Sequence, residues 1–322
     1  MSSAYRALVI KPLEPLHLGL RNLGGVEEFS IDESSPLPLP STILGALGNM
    51  AGASLKVNCS SYGSNGVYDF SDFRQLTMEL FNHDLKVDEV HSDEPYLWGP
   101  LIELNGAPHV PVGGSAVNDE DLKLYIEAAV KDYDEDAMKS LKRKLRAFSD
   151  VGSRVGIGID ATGTVRAMFE ASYINYKVRG LSLKYLVKNP VKQLGSSLIR
   201  LGGEGRLSLI HLEDHLKIPE GGDYAVALQP ILMHSDDNVG SINNVKGLEC
   251  VEEVYGVFDG ERFKVKVINI GLGFSEVCGF RRPILKALPQ GTVIRLRSGC
   301  SRYIAVGLLS ELGYGSIYRV SL

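Results

Sequence analysis

Cysteine is scarce. Cys59, Cys250, Cys278 and Cys300 stand far apart in a chain of 322 residues. No two of them form a C-x-x-C pair, which excludes a zinc ribbon and a disulfide framework and leaves reduced, mostly buried thiols as the expectation. Long apolar runs are absent too. The longest, such as Tyr303 to Leu309, fall well short of the roughly 18 residues that a membrane-spanning helix needs, so no membrane partner is expected. The first residues, Met1 to Arg6, lack the basic-then-apolar order and small-residue cleavage site of a signal peptide, and the expected location is the cytoplasm.

No glycine is followed by lysine anywhere, so a Walker-type phosphate loop has no lysine to place. The run Gly156-Ile157-Gly158-Ile159-Asp160-Ala161-Thr162-Gly163 misses the dinucleotide fingerprint by spacing, and Gly271-Leu272-Gly273 lacks a following helix. Neither Gly63-Ser64-Asn65-Gly66 nor Gly195-Ser196-Ser197 has the G-x-S-x-G frame of a nucleophile elbow. Excess positive charge is also missing: the net charge is -5. A protein that grips nucleic acid alone usually presents a basic face, so any RNA contact here has to be local and completed by partner subunits.

What is present is a globular composition, 44% hydrophobic and 23% charged. The length suits two cores. Tyr5 to Ile10 is a β-branched, apolar run suited to a first strand. An irregular stretch with Pro36, Pro38 and Pro40 follows, after which Ser41 is placed to cap a helix carrying Gly45, Gly48 and Gly52. Glycines at that spacing suit close approach to another backbone; a loop is the alternative. Residues 51–114 are rich in Gly, Pro, Asn and Asp and read as an insertion. From Asp134 to Phe148 the apolar residues recur with helical period, acidic residues opening the segment and Lys142 to Arg146 closing it as the helix dipole favours.

After the turn Ala161-Thr162-Gly163-Thr164, Val165 to Val178 reads as a long strand. A helix is expected from Pro190 to Arg200, then strands at Leu207 to Leu212, Tyr224 to Met233, Phe263 to Ile270 and Thr292 to Arg297. Strand-helix-strand order twice over predicts an α+β protein of two sandwiches, residues 1–160 and 161–322.

Two histidine positions carry possible chemistry. His211-Leu212-Glu213-Asp214-His215 has histidines four apart, but the glutamate is misplaced for a zinc helix and His211 ends a strand-like run, so no metal site is expected. His17 could act as acid or base in RNA cleavage, or serve as a hydrogen-bonded structural residue.

Four segments, taken in order, resemble the RAMP proteins of CRISPR systems, and among them the third-subunit family of the type III-B Cmr assembly. They are Ser35-Pro36-Leu37-Pro38-Leu39-Pro40-Ser41-Thr42-Ile43-Leu44-Gly45-Ala46-Leu47; Arg154-Val155-Gly156-Ile157-Gly158-Ile159-Asp160; Leu201-Gly202-Gly203-Glu204-Gly205-Arg206; and Gly279-Phe280-Arg281-Arg282-Pro283-Ile284-Leu285-Lys286. The resemblance spans almost the whole chain. It implies two ferredoxin-like (RRM-like) domains with a loop-rich insertion in the first, no catalytic residue and no cofactor. It also implies a scaffold that helps hold the 5′ tag of the CRISPR RNA and joins the large polymerase/cyclase-like subunit to the backbone RAMP subunits. The alternative it leaves is a metal-independent RAMP endoribonuclease.

Chains without Cβ can approach ribose and phosphate closely, and guanidinium forks suit phosphates and base faces. The expected RNA-binding residues are therefore Arg21, Arg154, Arg200, Gly202, Gly203, Arg206, Arg281 and Arg282, with Arg206 also open to an ion pair with Glu204. One departure from the family stands out. The C-terminal loop Gly307-Leu308-Leu309-Ser310-Glu311-Leu312-Gly313-Tyr314-Gly315 carries Glu311 where a basic residue is usual, which points to a structural role for that loop.

Overall fold

A computed structural model describes residues 5–20, 34–57, 70–131, 135–159, 165–192, 194–203, 205–214, 221–234 and 242–322. Up to residue 213 the elements are β1 (Tyr5–Pro12), α1 (Pro40–Met50), α2 (Ser71–Phe81), β2 (His91–Ser92), β3 (Leu97–Leu104), β4 (Ala107–Val112), β5 (Ser115–Asn118), α3 (Leu122–Val130), α4 (Glu135–Lys144), β6 (Arg146–Ala147), β7 (Ser149–Ile159), β8 (Val165–Tyr176), β9 (Ser182–Lys188), β10 (Ser197–Leu201) and β11 (Arg206–Glu213). Then come β12 (Tyr224–Ala227), β13 (Ile231–Met233), β14 (Val251–Phe258), β15 (Phe263–Lys264), β16 (Ile268–Gly271), β17 (Phe274–Ser275), β18 (Phe280–Arg281), β19 (Ile284–Leu288), β20 (Val293–Leu296), β21 (Ala305–Val306) and β22 (Ile317–Val320).

The protein is α+β, with few helices and antiparallel pairing between its named strands. An eight-stranded sheet runs β10-β11-β1-β9-β3-β4-β5-β6, a five-stranded sheet runs β15-β14-β20-β12-β22, and a three-stranded sheet runs β13-β19-β16. The division expected at residue 160 cuts through the largest sheet: β9, β10 and β11 lie beside β1, with Ala7 opposite both Leu186 and Glu213. The physical reason is burial. Ala7 to Ile10 are buried on both faces, so β1 needs a neighbour on each edge and a layer on each side.

Alternation along the strands supplies two cores. Leu183, Tyr185 and Val187 of β9 join Leu8 and Ile10 against α1, while Leu186 turns to the other side with Trp98 and Leu101. A third core gathers Ile231, Cys250, Ile294 and Val306. The proline stretch before α1 is not slack: Tyr176 donates to Pro36 O at 3.1 Å, and Tyr185 and Gln229 donate to Pro38 O at 3.0 and 3.1 Å. Those bonds satisfy carbonyls that no ladder reaches.

Local expectations fare unevenly. Proline takes the first turn of α1 with Leu39 as N-cap, and no side chain caps it; Ser41 instead accepts a hydrogen bond from Tyr314 at 3.0 Å. The helix expected from Pro190 to Arg200 is replaced by β10, because Ser197 to Leu201 pairs in register with Ile210 to Arg206 and sheet pairing overrides local pattern. Phe263 to Ile270 is broken in two, since β15 pairs with β14 whereas β16 pairs with β19 in another sheet. Residues 51–114, read as an insertion with short strands at Tyr96 to Trp98 and Leu101 to Leu104, contain α2 and three strands, of which β3 covers both of those stretches from Leu97 on.

The reduced-thiol expectation is overturned. Cys250 and Cys300 form a disulfide with Cα atoms 5.6 Å apart, and Cys278 is disulfide-bonded as well. The pairing of β14 with β20 places Val251 opposite Leu296, and Arg297 N–H donates to Cys250 O at 3.0 Å, so cysteines fifty residues apart in sequence become neighbours across a ladder.

Candidate nucleic-acid interface

Three of the four segments singled out in the sequence meet at one cleft of about 600 Å³; the Arg154 segment contributes no lining residue and lies near His17 through Tyr173. One wall is α1, exposing Ser41, Thr42, Gly45 and Asn49. The lining is completed by the end of β10 with Arg200, Gly202 and Gly203, next to His17, and by the hairpin β17–β18 through Gly273 to Val277. The α1 glycines do different jobs. A Cβ on Gly48 would lie 2.7 Å from Leu76 Cδ1, so Gly48 lets α2 approach, whereas nothing stands within 4 Å of the corresponding point on Gly45, which opens on the cleft.

Tyr173 organises the rim. It lies opposite Gly152 in the β7–β8 ladder. Arg154, from β7, sits over the ring at 5.1 Å, and Arg206, from β11, at 4.9 Å. The Arg206 Nη2 also donates to the Tyr173 hydroxyl at 3.3 Å. Two cations gathered at one ring repel each other and are stabilised by an anion beside them. Sequence reading named both arginines and missed the tyrosine; the signal that could have found it is an aromatic residue facing a glycine across a predicted hairpin.

His17 stands next to that ring, with centroids 5.7 Å apart. Its Nδ1 lies 2.8 Å from the Ser172 carbonyl oxygen, which can only accept, so Nδ1 carries a proton. Gly203 N–H donates to His17 O at 2.9 Å. A Cβ on Gly202, where φ is +74°, would fall 2.4 Å from His17 O, and one on Gly203 would fall 2.4 Å from His17 Cδ2. These two glycines are thus required by the close packing of the His17 segment, and both still line the cleft.

The remaining candidates separate. Arg200 is exposed and lines the cleft. Arg281 is exposed on β18. Arg282 lines the cleft too, but its guanidinium is engaged within the protein: Nε and Nη2 donate to Asp72 Oδ2, Nη1 donates to Leu272 O and Phe274 O, and the group lies 4.2 Å from the Phe73 ring centre. Arg21 and Glu204 lie outside the described residues.

The C-terminal glycine loop is buried through Leu308 to Tyr318, apart from a half-buried Leu308. Glu311 accepts from Lys86 N–H at 2.8 Å through its carboxylate and from Tyr96 N–H at 2.6 Å through its backbone carbonyl. Burial pushes the Glu311 carboxyl above the usual carboxylate range. That loop is a structural brace. His211 Nε2 lies 3.1 Å from Glu213 Oε1, and His215 falls outside the described residues. Among the described residues no group of three or more His, Cys, Asp or Glu side chains is placed to hold a metal ion, and no helix is long and apolar enough to cross a membrane.

An α+β protein with an arginine-rimmed, glycine-walled cleft is the class that fold and site define. No protein-family model matches the sequence, and no curated protein is similar to it. Solved structures do match. A chain of the type III-B Cmr-beta bound to cognate target RNA and AMPPnP aligns over 90% of this protein and 86% of its own length, with 24% identity and a TM-score of 0.61. A chain of Cmr-beta bound to cognate target RNA aligns over 97% and 96%, with 20% identity and a TM-score of 0.63. At these identities the likeness is one of fold.

Proposed function

We propose that this chain is a non-catalytic scaffold subunit of a type III-B (Cmr) CRISPR effector, corresponding to its third subunit, which helps hold the 5′ tag of the CRISPR RNA. In that role it links the large polymerase/cyclase-like subunit to the backbone RAMP subunits and works in the cytoplasm. The observation that carries the reading is the convergence of Arg154 and Arg206 on Tyr173 beside the cleft that Arg200 and Gly203 line. It supplies local positive charge to a protein whose net charge is -5, which is what binding by a shared groove requires. The fold likeness to Cmr-beta chains over nearly the whole length supports it. The ferredoxin-like description of the two halves goes with this proposal, with the division drawn after β11 rather than at residue 160, where it would cut the eight-stranded sheet.

The test is reconstitution with the other subunits and CRISPR RNA. A complex that assembles and protects the 5′ tag only when this chain is present supports the reading. Assembly and protection that proceed without it overturn the scaffold role. Incubating the pure protein with repeat RNA in chelator separates a holder from a nuclease: a discrete cut, lost in His17→Ala, would establish the endoribonuclease instead.

A further inference from the structure

The hairpin β17–β18 presents an aromatic ring that the arginine-based reading does not use. Phe274 is 51% exposed although it lines the cleft, and among the described residues no other ring lies against it. Its backbone is held firmly. Arg282 N–H donates to Gly273 O at 2.9 Å and Arg282 Nη1 donates to Phe274 O at 3.0 Å, while the guanidinium is itself anchored on Asp72. Gly273, with φ at +88°, lets the chain turn where a Cβ would come 3.3 Å from Arg282 Nη1.

An exposed apolar ring on a rigid support costs free energy in water unless something covers it. The next residue of the strand, Ser275, is 1% exposed, so the hairpin buries one face and turns Phe274 outward on the other.

We propose that Phe274 is the stacking platform for one unpaired nucleobase in this cleft. This rests on the RNA-holding reading above. The chemistry fits a base better than a purely apolar ligand. A base offers a π face to the phenyl ring and brings with it a phosphate for Arg200, which lines the same cleft. Every base has such a face, so the platform recognises that a nucleotide is unpaired rather than which base it carries.

The experiment uses the full-length protein within the reconstituted complex. Affinity is measured for single-stranded RNA and for the same RNA carrying one abasic ribose at each position in turn. Wild type is expected to lose about tenfold at one abasic position, the order of one base–aromatic stack. Phe274→Ala is expected to lose the same tenfold on intact RNA, to show no further loss at that position, and to keep the salt slope. Phe274→Trp is expected to restore binding. If wild type binds but Phe274→Ala matches it, or if Phe274→Trp fails to rescue, the platform is overturned and the RNA reading stands. If the wild-type complex binds no RNA, the RNA reading itself fails and the platform with it.

Discussion

Arg282 donates from both Nε and Nη2 to a single oxygen of Asp72, at 2.9 and 2.5 Å, with 12% and 4% of the two side chains exposed. The pair ties the first turn of α2 to the hairpin that lines the cleft, across 210 residues of sequence. Asp72 also accepts from the backbone N–H of Phe73 at 2.8 Å through its other oxygen. Removing one member of a buried pair leaves the other charge uncompensated, at a cost of about 3–5 kcal/mol.

That geometry sets the first prediction. Arg282→Ala and Asp72→Ala each lower the melting temperature strongly, and the double variant is less damaging than the sum of the two. The check is a double-mutant cycle in urea. Additive losses would mean that the two side chains do not act as a unit.

The Cys250–Cys300 bridge closes a loop fifty residues long. In the chain-entropy account such a loop stabilises by about 4 kcal/mol relative to the open chain. Cys300→Ser, or reduction of the wild type, is therefore expected to lower the unfolding midpoint in guanidinium. Alkylation of the unfolded, unreduced protein followed by mass measurement checks the bond itself: both thiols should escape labelling, and labelling of both would refute the bridge.

How far the sequence could be read follows from the range of the forces involved. The strands Tyr5–Pro12 and Val165–Tyr176 were legible because β-branched alternation is local. The Gly205-Arg206 pair and the glycines that follow Arg154 are local patterns, so both segments stand out in the sequence. The disulfide was not, because its two cysteines meet only through the β14–β20 register. Tyr173 was passed over for the same reason, since its partners come from β7 and β11. Arg282 looked like an RNA contact because nothing near it in sequence reveals Asp72.

Glu311 gives a pH prediction. Its carboxyl titrates above the ordinary range because burial disfavours the charge. The folded state then holds the proton more tightly than the unfolded chain, so this group's contribution is fully present below the unfolded-chain value. It is lost as pH rises through the raised folded value. Glu311→Gln keeps an acceptor for Lys86 N–H and removes the titration. The variant should match wild type in mild acid and exceed it at neutral pH. A wild-type advantage at pH 7 would contradict this.

The two α1 glycines predict opposite outcomes. Gly45 has open space above it and sits inside a helix, so Gly45→Ala should stabilise by about 1 kcal/mol, and Gly45→Leu should fold while projecting into the cleft and blocking RNA. Gly48→Val drives a branched side chain into buried Leu76 and should destabilise by about 1–3 kcal/mol. Thermal melts rank the variants. A Gly45→Leu protein that folds and binds RNA normally would remove the cleft from the interface.

The arginines over Tyr173 carry the last prediction, because they separate phosphate binding from mere packing. A charge-assisted hydrogen bond is worth about 1.5–3 kcal/mol, so Arg154→Ala or Arg206→Ala should weaken RNA binding by the complex about tenfold or more if each meets a phosphate. Each such contact also releases counterions, so the slope of log affinity against log salt should fall by about one per arginine lost. Lysine keeps the charge but neither the planar fork nor the flat face that lies on Tyr173. Arg154→Lys should therefore retain the salt slope while losing part of the affinity. The free subunit, acidic overall, should bind weakly throughout at physiological salt. Measuring the three variants in the assembled complex at two salt concentrations tests each statement at once. Unchanged slopes in the alanine variants, with the complex intact, would leave the two guanidiniums as braces for Tyr173 and move the phosphate contact elsewhere along the cleft.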